Sequence, residues 1–172
     1  MAFCAGLVGG GMLSATVLVV AGSLIRAPLS LPVRWAVVGA ALCAVVLKQW
    51  GVLSFTLPEN RRLVPESVFR FGRHLGPLQF GIEMGTGART YLPSGLPYVG
   101  AVAVLLMASV PAALCAGIGF GLGRALMTMS NLRYSTDNRW DGEWLRHRRT
   151  LVLLTASAFI VSLLAALAGP PS

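Results

Sequence analysis

Charge is missing from most of this chain. Residues 1–25, 90–123 and 150–172 contain no Asp, Glu, Lys or Arg. A water-soluble domain needs polar cover on every face that meets water, so this distribution excludes one. Charged residues make up 12% of the chain, about half the usual share. Cysteine is nearly absent too: Cys4, Cys43 and Cys115 form no CxxC and no metal-ligand spacing, which excludes a disulfide scaffold and a zinc ribbon. His74 and His147 stand in basic segments with no HxxxH or HExxH spacing, and no serine-centred motif is present, so hydrolase and metalloprotease signatures are missing. Met1-Ala2-Phe3-Cys4 offers no basic n-region, and a cleaved secretory signal is not expected. Phe3, Leu42 and Leu114 precede the cysteines where a lipoprotein anchor would need a small residue. Neither a metal nor a cofactor is implied.

What is present is apolar sequence in long runs. Hydrophobic residues make up 55% of 172 residues. About 20 apolar residues cross a hydrocarbon core ~30 Å thick, so the chain has room for four to six spans. We expect an all-α, polytopic membrane helix bundle forming a single domain over 1–172, with spans at 3–25, 35–57, 75–92, 97–122 and 150–168. Arg26 and Pro28 end the first. The second needs 35–57 for full length, which places Lys48 inside the membrane; the shorter alternative starts near Leu31 and ends at Leu47, leaving Lys48 and Trp50 at the interface. The run 94–123 is too long for one upright span and too short for two with a turn, so the fourth is expected tilted, with a kink at Pro111.

The charges that remain are concentrated. Fifteen of twenty lie in blocks 58–74 and 124–149, with four and six arginines. The +8 net charge does not point to nucleic acid, because the basic residues flank apolar runs and form no separate basic domain. Five spans put both blocks, in loops 58–74 and 123–149, on one side. Basic loops are enriched in the cytoplasm, so the N-terminus is expected inside and the C-terminus outside. Trp35, Tyr91 and Tyr98 then fall at the outer interface, and Leu92–Pro97 reads as an outer turn. Trp140 and Trp144, four residues apart, suggest an interfacial helix leading into Arg146–Arg149. Arginine outnumbers lysine 13 to 1, the bias of a high-GC bacterial genome, and the expected location is the cytoplasmic membrane.

Two charges break the pattern. Glu83 lies inside the third span, where an ionisable group must face protein or water and have a partner. Arg89 is about 240° away around the helix, so it does not share that face. Lys48 is the expected partner, since both residues fall roughly 12–13 Å above the same boundary, on helices taken to be adjacent and antiparallel. Gln49 and Gln79 complete a candidate intramembrane polar site. Its plainer reading is a pair that fixes helix register.

Glycine carries the packing signal. Gly81 and Gly85 form one GxxxG pair, and Gly117, Gly119, Gly121 and Gly123 form two overlapping registers. Such glycines let helix backbones approach closely, within the chain, with other membrane subunits or in a homo-oligomer. The run 117–124 is not a phosphate loop, since it lacks the GK[ST] ending. Cys43 and Cys115 lie well inside the spans, and with this glycine-rich, few-helix plan the chain resembles, in general style, the cytochrome c biogenesis-type carriers of reducing equivalents. That likeness implies a membrane thiol-redox role; the cysteines of that family usually adjoin proline, and Cys43 has none nearby. The residues thus give three functions: a permease-like transporter or transport subunit with a polar site around Glu83, a non-catalytic accessory or assembly subunit, and a thiol-redox protein. Enzymatic activity is the less favoured class.

Overall fold

The structure is a computed structural model that describes residues 1–54, 72–87 and 95–134, and beyond them 142, 146–147, 150–151, 153–158 and 160–161. Arg89, Tyr91, Trp140, Trp144 and most of block 58–74 lie outside the described residues. The chain divides into two compact units, Met1–Thr128 and Met129–Ser172.

Helix α1, Ala2–Ile25, has no charge to stop it over 24 residues, so it runs about 36 Å. Its inner face is a line of small and β-branched residues, with Gly11, Ala15, Val19 and Gly22 all buried. Its outer face carries Leu13, Val17, Val20 and Leu24, all exposed. Arg26 caps it, its amide donating to Gly22 O at 2.9 Å. A short turn follows, and Arg34 stitches it: Nε donates to Leu29 O at 2.9 Å and Nη2 to Arg26 O at 2.7 Å.

Helix α2, Leu31–Gln49, starts with proline in its first turn, where a missing N–H does no harm. It ends eight residues before the expected limit of the 35–57 span. The cause is Gly51, at φ 77°. The Gly51 amide donates to Lys48 O and the Val52 amide to Leu47 O, both at 3.0 Å, the paired bonds of a glycine helix stop. Lys48 is therefore at the end of α2 and not within a longer helix.

Helix α3, Gly72–Gly85, and helix α4, Leu96–Met107, are short, about 21 and 18 Å. Helix α5 runs from Val110 to Tyr134. The tilted fourth helix expected over 97–122 is thus two helices. Ala108 is extended, at φ −74° and ψ 139°. Pro111 lacks an amide hydrogen, and its ring conflicts with the carbonyl four residues back, so α4 cannot continue through it. The helix restarts with Pro111 in its first turn and Ala113 N bonded to Ser109 O at 2.9 Å. The kink expected at Pro111 is a complete break and reversal.

Directions follow from which residues meet. Phe3 stacks on Phe80 with ring centroids 5.7 Å apart. Gly6 meets Gly81, Gly10 meets Gly85, and the Ser14 hydroxyl reaches Thr86 O. Both numbers rise together, so α3 is parallel to the first half of α1. Gly22 meets Leu105, and Arg26 Nη1 donates to Ala108 O at 2.8 Å, so α4 is parallel to the second half. Helices α3 and α4 therefore stand end to end along α1, and their junction falls near Ser14, its midpoint. Helix α5 returns: Gly117 meets Gly11 and Gly121 meets Leu7, so it is antiparallel to α1. Helix α2 starts beside Arg26 and packs against α4, whereas α3 packs against α1. The second and third helices, expected as neighbours, have different packing partners. Ala15, Val19 and Ala113 form a buried cluster, with Val104 and Ala108 against it.

In the second unit, residues 150–151, 153–158 and 160–161 are helical, and Leu151, Leu153, Leu154, Ile160 and Val161 are exposed. Three helical stretches, Ala2–Ile25, Leu31–Gln49 and Val110–Asn131, are long and apolar enough to cross a membrane. Every element assigned among the described residues is a helix. Apolar helices of this length that expose leucine and valine to their surroundings imply a lipid bilayer.

Candidate functional site

The junction of α3 and α4 is where this fold departs from a simple bundle. Helix α3 ends because Gly85, Gly87 and the Thr86 hydroxyl satisfy its last turn locally. The Thr86 amide donates to Ile82 O at 3.0 Å and the Gly87 amide to Met84 O at 3.3 Å. Thr86 Oγ1 donates to Glu83 O at 2.7 Å. Gly87 takes φ 72°, a conformation that suits glycine. From α1, Ser14 Oγ donates to Thr86 O at 3.1 Å. Helix α4 starts at the same level, with Gly95 as N-cap and a proline in the first turn.

Beside this junction is a cavity of about 530 Å³. Helix α1 contributes Leu13, Ser14 and Val17; the end of α3 contributes Thr86 and Gly87; α4 contributes Tyr98, Gly100 and Val104; α5 contributes Gly117 and Phe120. Phe120 packs toward Gly87, where an added Cβ would stand 3.4 Å from its ring. The wall is apolar except for the hydroxyls of Ser14, Thr86 and Tyr98. Tyr98, expected as an outer-interface anchor, is half-buried at mid-height and lines this cavity.

The residues proposed from sequence are distributed differently. Glu83 is half-buried on α3 and Gln79 is exposed. Each is two residues from a seam glycine, about 200° around the helix, so they share the face of α3 turned away from α1. Neither lines the cavity. Lys48 is half-buried in the last turn of α2, and Gln49 is exposed beside it. The depth assigned to Lys48 rested on a helix reaching residue 57, and that premise fails at Gly51.

The glycines sort cleanly. A methyl group on Gly81 would meet Phe3 O and stand 3.0 Å from Gly6 Cα; on Gly85 it would meet Leu7 O and stand 2.8 Å from Leu7 Cα. On Gly117 it would be 2.6 Å from Gly11 O, and on Gly121 it would be 2.7 Å from Leu7 O. Gly119 and Gly123 face open space. Of the two overlapping registers on α5, 117/121 faces α1 and 119/123 faces outward.

Cys43 and Cys115 are both free and exposed. Helices α2 and α5 start at the same end, beside Arg26. Cys43 is about 18 Å along α2 and Cys115 about 8 Å along α5, a difference beyond the ~7 Å that a disulfide spans between Cα atoms. Mild oxidation of the protein in vesicles should therefore give no intramolecular Cys43–Cys115 bond on non-reducing peptide mapping. A quantitative cross-link would restore the thiol-redox reading.

Sequence reading missed Ser14, Tyr98, Gly100 and Phe120 as a group. The available signal was a pair of short apolar segments separated by Gly and Pro, the pattern of a broken helix. In comparisons with known proteins, the chain matches no family model, no curated protein and no solved structure.

Proposed function

We propose that this chain is a permease-like protein of the cytoplasmic membrane, or the membrane subunit of a transport complex, with its substrate site at the junction of α3 and α4. One observation carries the reading: two half-length helices stand end to end along α1, and a cavity open at Leu13 and Val17 lies beside their junction at its mid-height. Transporters place substrate sites near the bilayer midplane, where helices are discontinuous. A broken backbone at that depth is tolerated where it is buried in protein or lines a cavity. A purely structural bundle has no need of the break.

In this reading the chain crosses five times. Helix α1 leads outward, α2 back, the α3–α4 column outward and α5 back, and the apolar run 150–168 of the sequence is the fifth crossing. Helix α1 starts, α3 starts and α5 passes Gly121 at the same end of unit 1, which supports placing both basic blocks in the cytoplasm. Glu83 and Gln79 then form the polar face of the lower half-helix, one and two turns below Thr86, and are suited to coupling. Lys48 and Gln49 mark the cytoplasmic end of α2.

The test compares cells lacking the protein, cells expressing it, and cells expressing Gly100→Trp or Glu83→Gln, for uptake of and tolerance to a broad compound panel. At least one compound should distribute differently when the protein is present, and Gly100→Trp should abolish the difference at normal protein levels. No difference for any compound would overturn the transport reading; a normal phenotype for Glu83→Gln would remove Glu83 from it. A second reading, an accessory subunit or homo-oligomer, is favoured by Gly119 and Gly123, which leave a small-residue face open on α5.

A further inference from the structure

The wall of the cavity decides what it can hold. Among the described residues no charged side chain lines it. The carbonyls that end α3 are also engaged among the described residues. Ile82, Glu83, Met84 and Thr86 carbonyls accept bonds from the Thr86 amide, the Thr86 hydroxyl, the Gly87 amide and the Ser14 hydroxyl. At the start of α4, Gly95 O accepts from the Tyr98 amide at 3.1 Å, and Pro97 has no amide hydrogen to offer. An ion entering here would lose its hydration and meet no counter-charge among the described lining residues.

The cavity's mouth points the same way. Leu13 and Val17 line it yet are 53% and 58% exposed. They belong to the outer face of α1 with Val20 and Leu24, a face that in a bilayer meets hydrocarbon. Both sit near the middle of the helix, far from either aqueous surface.

We infer that this cavity binds a neutral, lipid-soluble small molecule that arrives sideways from the hydrocarbon past Leu13 and Val17. The volume of about 530 Å³ falls in the range of ordinary small-molecule sites, roughly 300–1,000 Å³. Tyr98 and Phe120 give the apolar body of the ligand two rings to pack on. The Ser14 and Thr86 hydroxyl hydrogens are committed to Thr86 O and Glu83 O, but their oxygens can still accept a bond from an uncharged donor on the ligand. This inference rests on the site assignment above but not on transport itself.

Photolabelling in proteoliposomes tests it, with benzophenone as the neutral probe and 4-benzoylbenzoate and a benzophenone trimethylammonium salt as charged analogues. Benzophenone labelling should saturate and map to peptides carrying Leu13–Leu18 and Tyr98–Val104. Gly100→Trp, which fills the cavity from a position with no atom within 4 Å of its Cβ site, should lower that labelling about tenfold. Gly39→Trp, also at an open position but off the cavity, should leave it unchanged. Ala101→Trp serves if Gly100→Trp does not fold. The charged analogues should not label these peptides. Labelling that rises without saturation and is equal in Gly100→Trp, as for a groove filled by acyl chains, would overturn the inference, as would equal labelling by a charged analogue. Saturable labelling without any uptake difference in cells would leave the binding site standing and remove transport alone.

Discussion

Gly10→Leu is expected to separate α3 from α1, and even Gly10→Ala should be severely destabilising. A methyl group at Gly10 meets Ile82 O and stands 2.9 Å from Gly85 Cα. Both are backbone atoms, so no side chain can rotate away. Overpacking typically costs about 1–3 kcal/mol, and parallel helices held at backbone distance have no room to relax. Removing glycine from a helix returns roughly 0.5–1 kcal/mol, which offsets only part of that. Gly9→Ala is the matched control. Its Cβ meets nothing within 4 Å, so it should be neutral or stabilising by roughly 0.5–1 kcal/mol. The same contrast should appear on α5: Gly117→Ala and Gly121→Ala destabilise, Gly119→Ala and Gly123→Ala do not. Thermal unfolding in detergent measures all six alanine variants. Equal midpoints for Gly9→Ala and Gly10→Ala would reject the α1–α3 seam. Loss of a higher oligomer on Gly119→Ala, with the monomer fold intact, would favour the accessory-subunit reading.

Arg26→Met should produce the second large loss. Arg26 Nη1 donates to Ala108 O at 2.8 Å, at the break between α4 and α5. A carbonyl that ends a helix carries partial negative charge, and a guanidinium both bonds and neutralises it. The Arg26 carbonyl in turn accepts Arg34 Nη2 at 2.7 Å, so one residue ties the α1–α2 turn to the α4–α5 turn. Hydrogen bonds to charged groups contribute about 1.5–3 kcal/mol, and methionine would leave the Ala108 oxygen unsatisfied. Arg34→Met, which loses bonds only within the α1–α2 turn, should cost less. Arg26→Lys should recover part of the loss, because an amine still donates but reaches with less directional control. An unfolding midpoint for Arg26→Met equal to that of the unaltered protein would show that the α4–α5 reversal stands without this tie.

Arg26 and Arg34 look like headgroup anchors in the sequence because each follows or opens an apolar run. Their use as carbonyl donors depends on the α4–α5 turn lying beside the end of α1, which no local pattern encodes. Gly51 is the opposite case. Lys48-Gln49-Trp50-Gly51 is a helix-stop signal of polar last turn followed by glycine, legible in the sequence. The observed α2, Leu31–Gln49, follows that signal and agrees with the shorter of the two spans the sequence allowed. The glycine registers were legible as a repeat, but the choice between 117/121 and 119/123 was not, because both have the same spacing.

What the sequence by itself determined was class: long apolar stretches such as Ala2–Ile25 are helical and lipid-embedded, because only that arrangement satisfies their backbone in the absence of water. It also supplied the glycines and the prolines that make close approach and reversal possible. Only the tertiary structure decided that α3 and α4 both run parallel to α1, one along each half of it. Hydropathy records how apolar a segment is and not which way it points, so two half-helices in line and two antiparallel spans read alike. The stacking is chosen by long-range contacts, Gly6 with Gly81 and Gly22 with Leu105. Those contacts leave the cavity beside Ser14, away from the Glu83 face to which charge alone had directed attention.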